Sequence, residues 1–190
     1  SRGAWRQLTS SRWAPELEHR CGADRTERIV HGHPASATAL HGIMTSPFST
    51  QELTRQLRAL GVEEGDLVMI HASMRAVGPV DGGARGMIEA MQAALGDDGT
   101  LLMVLSATED VPFDALRSPV DVADMGVLAE VFRTHPGVSV SDHPADRFAA
   151  LGPDASTLLE PMPLHDYHGP GSVLERLTER GGKILRLGAN

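Results

Sequence analysis

Histidines and carboxylates stand close together at two places in the sequence, where they can act on a substrate. One is Ser141-Asp142-His143-Pro144 and the other is His165-Asp166-Tyr167-His168. Histidine can serve as a general base, which an amine nucleophile requires because amines are protonated at neutral pH. The same side chains suit zinc, so a metal-dependent hydrolase is one alternative hypothesis. Its ligands would come from Asp142, His143, His165, Asp166 and His168, but no H-E-x-x-H pattern supports it.

A second polar group follows a predicted strand. Leu67–Ile70 is a short apolar run with β-branched members and predicts a buried strand, and a helix is predicted over 84–95. The segment between them, from His71 on, is predicted as a glycine-containing loop whose backbone N–H groups, with Ser73 and Arg75, can hold a phosphate. The alternative is that Ser73 caps the loop and Arg75 is solvated. Neither the dinucleotide-binding G-x-G-x-x-G pattern nor the P-loop pattern occurs.

Acidic residues form a third group. Glu109, Asp110 and Asp114 follow the apolar run Leu101–Leu105, in a predicted surface loop. Loops at the ends of buried strands often carry ligand sites in α/β proteins, and a carboxylate-lined cleft attracts a polycation. The alternative is a solvated acidic loop without a ligand.

Apolar patterning from residue 44 onward predicts an α/β domain over 44–190. A Ser49-to-Glu52 capping box begins the first helix, and a β-α-β unit with a right-handed crossover follows. Strands are predicted over 67–70, 101–105, 138–140, 148–151 and 183–187, and helices after residue 49 and over 84–95, 126–134, 155–159 and 172–180. No helix follows the last strand, so Lys183–Leu187 is predicted as an uncovered strand with an unpaired edge.

Composition limits the class of protein. Of the 190 residues 41% are hydrophobic, which is enough for one domain with a core, and no apolar run is long enough to span a membrane. The single cysteine, Cys21, excludes an intramolecular disulfide and fits a reducing, cytoplasmic location. The net charge of −8 argues against nucleic acid as a partner.

Residues 1–43 differ from the rest of the chain. They carry six arginines and four acids, and they contain both tryptophans and two prolines without a sustained apolar period. We interpret them as a non-native-like or disordered N-terminal lead. A regulatory arm is the alternative.

Several short sequence motifs resemble those of one protein family. The string His71-Ala72-Ser73-Met74-Arg75-Ala76-Val77-Gly78-Pro79-Val80 resembles the aminoglycoside 3-N-acetyltransferases, the antibiotic N-acetyltransferase family. So do Leu95-Gly96-Asp97-Asp98-Gly99-Thr100-Leu101, Ser141–Pro144 and Leu185-Arg186-Leu187-Gly188. Their order and spacing agree from about 48 to 188. The strings over 109–114 and 124–127 are similar to the apramycin- and gentamicin-acetylating branch.

The resemblance implies the antibiotic acetyltransferase fold, a three-layer-like α/β arrangement with a mostly parallel sheet that is unlike the GCN5-type fold. It implies acetyl transfer from acetyl-CoA to the 3-amino group of a 2-deoxystreptamine antibiotic, and hence antibiotic resistance. Glu109 and Asp110 are the implied antibiotic contacts. The implied coenzyme contacts are His71, Ser73, Met74, Arg75, Ala76, Val77, Gly78, Ser141 and His143.

The resemblance also raises an expectation about catalysis. The family's base is a histidine in a Thr-x-x-His-x-Ala-Glu helix after Leu-Gly, whereas this sequence ends at Asn190, which predicts a domain truncated at its C-terminus. His168 is then the candidate substitute base, and slow turnover is expected. A catalytically silent coenzyme-binding fragment or pseudoenzyme is the alternative. No metal is expected, and the oligomeric state, including a homodimer, stays open.

Overall fold

A six-stranded mixed sheet organises the chain. The computed structural model describes the backbone strand of residues 6–10 and the residues 46–106, 113–144, 146–166 and 168–188. The strands are β1 (Arg6–Ser10), β2 (Leu67–Ala72), β3 (Thr100–Leu105), β4 (Ser139–Val140), β5 (Arg147–Leu151) and β6 (Lys183–Leu187). Their order is β1-β6-β2-β3-β5-β4; β1, β6, β2 and β3 are parallel, and β5 is antiparallel to both of its neighbours, β3 and β4.

Helices cover both faces of this sheet. They are α1 (Thr50–Ala59), α2 (Met74–Val77), α3 (Gly83–Leu95), α4 (Val122–Met125), α5 (Val127–Arg133), α6 (Ala155–Leu158) and α7 (Val173–Glu179). The buried residues of α1, α3 and α5 form one apolar core with the sheet, and those of α6 and α7 form a second core. The predicted three-layer, mostly parallel α/β fold is confirmed.

The first helix begins as predicted, but only half of its capping box forms. Ser49 Oγ accepts a hydrogen bond from the Glu52 backbone N–H at 3.2 Å. The Glu52 carboxylate turns toward Arg55, which donates two hydrogen bonds to it, and toward Gln56. The Arg55 guanidinium lowers the pKa of Glu52 to about 2. A nearby cation has therefore replaced the reciprocal backbone contact that the pattern predicts.

The position of β6 differs from the prediction of an unpaired edge. The strand lies inside the sheet, paired with β2 on one side and with β1 on the other. Leu185 is fully buried, and Leu187 packs in the same core. The pairing partner on the outer side comes from the predicted lead, in which no strand was expected. Residues 1–5 and 11–45 lie outside the described residues, so for them the interpretation as an unpacked lead stays a prediction.

A buried ion pair fixes the start of β6. Lys183 Nζ lies 2.6 Å from Asp66 Oδ2 and donates to the Gly61 carbonyl at 2.9 Å. The two charged side chains are 11% and 16% exposed. The ammonium thus connects β6 to the segment between α1 and β2, more than a hundred residues earlier in the chain.

Candidate functional site

A cavity of about 750 Å³ opens where β2 separates from β3. The paired register of these two strands runs only from Leu67 and Thr100 to Met69 and Leu102, after which β2 continues beside β6 alone. The cavity is lined by residues at the carboxyl ends of β2, β3 and β6, by the start of α2, and by residues 122–129 of α4 and α5. This edge of an open α/β sheet is the usual place for a ligand.

The segment after β2 is a single helical turn, whereas the sequence predicts a loop. Ser73 is the N-cap of α2, and its Oγ accepts from the Ala76 N–H at 3.4 Å. The N–H groups of Ala76 and Val77 donate to the Ser73 carbonyl, and that of Gly78 donates to the Met74 carbonyl. These three amides are therefore bonded inside the turn, and the phosphate cradle stays a prediction for the rest of the segment.

Four of the predicted coenzyme contacts line the cavity. They are His71, Ser73, Met74 and Arg75, and the guanidinium-bearing Arg75 is exposed at its rim. Gly78, with Met74, lines a neighbouring cavity of about 580 Å³ between α2, the start of α3 and α5. Ala76 and Val77 are among the lining residues of neither of these two described cavities.

Sequence reasoning missed Arg186 as a candidate site residue. It lies on β6 directly opposite His71 of β2 in the parallel register, and both side chains line the cavity. Burial lowers the pKa of His71, and the positive charge of Arg186 lowers it further. The neutral imidazole is therefore favoured beside a cation. In the sequence, Arg186 is only a polar residue within an apolar strand. Its place beside His71 becomes visible only when the pairing of β6 with β2 is known.

The opposite wall of the cavity comes from α4 and α5. Asp121 caps α4 by accepting from the Ala123 N–H at 2.9 Å, and Asp124 is exposed at the rim. Gly126, with φ of 80°, separates the two helices in a conformation that favours glycine. The sequence marked residues 124–127 as a family string without assigning them to the site.

Ser141 and His143 are buried, and they are not among the residues that line the 750 Å³ cavity. Ser141 Oγ accepts from the Phe148 N–H at 2.9 Å. His143 Nδ1 lies 3.0 Å from the Asp146 backbone nitrogen, which donates to it, so Nε2 carries the proton that faces the Pro163 carbonyl at 3.3 Å. Their role as coenzyme contacts stays a prediction.

His168 pairs with a carboxylate. Its Nε2 lies 3.2 Å from Asp146 Oδ2, and the two side chains are 64% and 12% exposed. Burial raises the pKa of Asp146, and the charge of His168 opposes that shift. Asp146 directly precedes β5, whose Arg147 pairs with Leu105 at the end of β3, so the pair sits at the carboxyl edge of β3.

Strand alternation relates this pair to the cavity. Asp146 falls on the same face of the sheet as Phe148, which belongs to the second core together with Met69. His71 also lies on the Met69 face, two residues further along β2. Asp146 and His71 therefore lie toward the same edge of the sheet, next to β5 and on β2, the two strands that flank β3.

The acidic loop lies only partly within the described residues. Glu109 and Asp110 lie outside them, so their role as antibiotic contacts stays a prediction. Asp114 is described, and its Oδ1 accepts from the N–H groups of Leu116 and Arg117. Asp114 thus stabilises a turn of its own loop.

A buried arginine anchors that loop. Arg147 is 1% exposed, and its guanidinium donates to the carbonyls of Ala115 at 3.0 Å and Ser118 at 2.7 Å. It also donates to the carbonyls of Ser106 and Pro119, and it stacks on the Phe113 ring at 5.3 Å. Arg147 of β5 is therefore hydrogen-bonded to residues both before and after the segment that contains Glu109 and Asp110.

The alternative hypothesis of a metal-dependent hydrolase finds no support in the described ranges. Among those residues, no three His, Cys, Asp or Glu side chains are grouped as a metal site requires. His143 and His168 instead contact the Pro163 carbonyl and Asp146. Within the same part of the chain, no helix is both long and apolar enough to cross a membrane.

Comparison with known proteins identifies the family. The sequence pattern described as "Aminoglycoside 3-N-acetyltransferase" matches residues 69–190. The chain is 44% identical over 139 residues to aminoglycoside N(3)-acetyltransferase IV of Salmonella sp, an alignment that covers 72% of this chain and 52% of that protein. The chain thus spans about half the length of this relative.

Solved structures agree with this match. AAC-IIIb in a binary complex with CoASH superposes with a TM-score of 0.71 at 35% identity, covering 76% of this chain and 60% of that one. A histidine-to-alanine variant of AAC(3)-IVa in complex with apramycin gives a TM-score of 0.70 at 40% identity, covering 77% and 59%. The resemblance drawn from the sequence strings is confirmed, and the chain belongs to the aminoglycoside 3-N-acetyltransferase family.

Proposed function

We propose that this chain binds acetyl-CoA and takes part in acetylation of the 3-amino group of a 2-deoxystreptamine antibiotic. The amine nitrogen attacks the thioester carbonyl, a C–N bond forms, the C–S bond breaks, and the coenzyme leaves as the thiol after the amine has lost a proton. The observation that carries the proposal is the 750 Å³ cavity, because its wall contains His71, Ser73, Met74 and Arg75 from the family string.

The coenzyme and the antibiotic carry opposite charges, so we expect them to bind at different subsites. The coenzyme is a polyanion and suits the cavity wall that carries Arg75. The antibiotic is a polycation and suits carboxylates, and we assign Glu109 and Asp110 to it. The relative AAC-IIIb is known in a complex with CoASH, and the relative AAC(3)-IVa with apramycin.

Calorimetric titration with CoA tests the coenzyme half of the proposal. Arg75→Ala should weaken binding about tenfold or more, because one charge-assisted hydrogen bond contributes about 1.5–3 kcal/mol. Arg55→Ala is the matched control, since Arg55 lies on α1 outside the cavity and its side chain is 69% exposed. A wild-type chain without measurable affinity for CoA, or equal affinities for all three proteins, would contradict the assignment.

The antibiotic half needs its own titration. Asp110→Asn should weaken apramycin or gentamicin binding most at low salt, where Coulomb attraction is least screened, and should leave CoA affinity unchanged. Asp98→Asn, in an exposed turn before β3, is the control. If Asp110→Asn instead weakens CoA binding and preserves antibiotic binding, the two subsites are assigned the wrong way round.

A further inference from the structure

Arg186 lies on β6 opposite His71 and is among the residues that line the cavity. Ile184 and Arg186 line the cavity from one face of the sheet, and Ile70 and Met103 line it from the other face, where Leu185 and Leu187 pack into the core. This alternation is the ordinary period of a strand. Arg186 is half-buried, so its guanidinium is part of the cavity wall and not a fully solvated surface charge.

The charges around Arg186 make this wall attractive to an anion. Among the described residues, the charged side chains that line the cavity are Arg186 from β6, Arg75 from α2 and Asp124 from α4, and His71 from β2 favours its neutral form. The described part of the wall is therefore net positive, although the whole chain carries a net charge of −8. A local positive site in an acidic protein repels a polycationic antibiotic and attracts a phosphate.

We propose that Arg186 binds a phosphate group of the coenzyme, with its guanidinium as a second cationic contact beside Arg75. The inference rests on the proposed function, and it adds a coenzyme ligand from β6 to those expected from the segment after β2. A planar guanidinium offers two parallel N–H donors to phosphate oxygens, which a lysine ammonium cannot reproduce.

Isothermal titration calorimetry on the full chain tests Arg186 directly, with CoA, dephospho-CoA and pantetheine as titrants. Arg186→Gln should weaken CoA binding about ten- to a hundredfold, and Arg186→Lys should bind with an intermediate affinity. Increasing salt should reduce the difference between wild type and Arg186→Gln. Arg55→Gln, on the exposed face of α1, should bind like wild type.

The three titrants locate the phosphate. A loss with CoA and dephospho-CoA places the guanidinium at the pyrophosphate, and a loss with CoA alone places it at the 3′-phosphate; either result supports the proposal. An equal loss with pantetheine, which has neither group, would show a steric effect and overturn it.

Folding and the proposed function are controlled separately. Urea midpoints for every variant show whether each is folded, and if Arg186→Gln is not, a reduced affinity of folded Arg186→Lys still supports the proposal. Affinity for CoA that is unchanged in the folded variants overturns the role of Arg186 alone. Absence of CoA binding by the wild-type chain overturns the proposed function as well.

Discussion

Asp146 Oδ2 lies 3.2 Å from Nε2 of His168, so a mostly buried carboxylate contacts an exposed imidazole at the carboxyl edge of β3. A base oriented by a second group is the arrangement that general-base catalysis uses. This geometry supports His168 as the candidate base, on the face of the sheet that also carries His71.

We therefore expect His168→Ala to lower kcat for aminoglycoside acetylation by about 10²–10⁴ with little change in the KM for acetyl-CoA. Asp146→Asn should lower kcat less, because it removes only the orienting charge. Steady-state assays with apramycin and gentamicin measure both values, and exposed His165→Ala serves as the control. Turnover that His168→Ala leaves unchanged would exclude His168 as the base.

Arg147 should be among the residues that contribute most to stability. Arg147→Met removes a guanidinium that donates to four backbone carbonyls, and it leaves the buried carbonyls of Ala115 and Ser118 without this donor. We expect the free energy of unfolding to fall by about 3 kcal/mol or more, and Arg147→Lys to restore only part of it. Urea unfolding measures the change. Arg117→Met, in the same loop but with its side chain 89% exposed, should have almost no effect.

Because the pKa of His71 is lowered, the protein should become less stable as the pH falls. Because the folded chain favours the neutral imidazole, the unfolded chain binds the proton more readily as the pH falls below about 6.5. The free energy of unfolding should therefore decrease as the pH falls through this window, by at most about 1.4 kcal/mol per pH unit for one proton. Restoring the histidine charge in the folded state requires a pH below the lowered pKa.

Urea midpoints at pH 7.5, 6.5 and 5.5 measure this dependence. His71→Gln should flatten it, whereas His165→Gln, at an exposed position, should leave it in place. A profile that is equally steep in wild type and His71→Gln would contradict the effect of burial and of Arg186 on His71.

The Lys183–Asp66 pair allows a double-mutant test. Lys183→Met leaves the Asp66 carboxylate without its ammonium in a largely buried position, and we expect a loss of about 3 kcal/mol in the free energy of unfolding. The double variant Lys183→Met/Asp66→Asn should regain part of that loss, because no unpaired charge remains. A double variant whose loss equals the sum of the two single losses would show that the residues do not interact.

Local pattern predicted most of the elements. Five of the six strands and the helices after Ser49, Gly82 and Ser172 were expected from apolar period and caps, because those signals lie within a few residues of the element. The turn α2 was missed because four residues are too few for a helical period. The strand β1 was missed because it forms through parallel pairing with β6 and carries no period of its own.

The part of the candidate site that was predicted consists of residues that are contiguous in the sequence. The residues from His71 to Arg75 stand together in the sequence and in the cavity wall. Arg186 joins them only because β6 pairs with β2 in a register that no local pattern fixes. The contact between His168 and Asp146 was not predicted either, because the chain between them contains β5 and α6 and no local pattern shows that it returns to Asp146.

Lys183 is the only lysine in the 190 residues, and its ammonium is held in an ion pair with little exposure. Every other cationic side chain of fixed charge is an arginine, whose guanidinium stays protonated and is a poor acyl acceptor. If the chain holds an acyl thioester as proposed, it presents almost no ε-amine to adventitious self-acetylation. Its surface charge should then persist through prolonged incubation with acetyl-CoA, where a lysine-rich protein would lose positive charge.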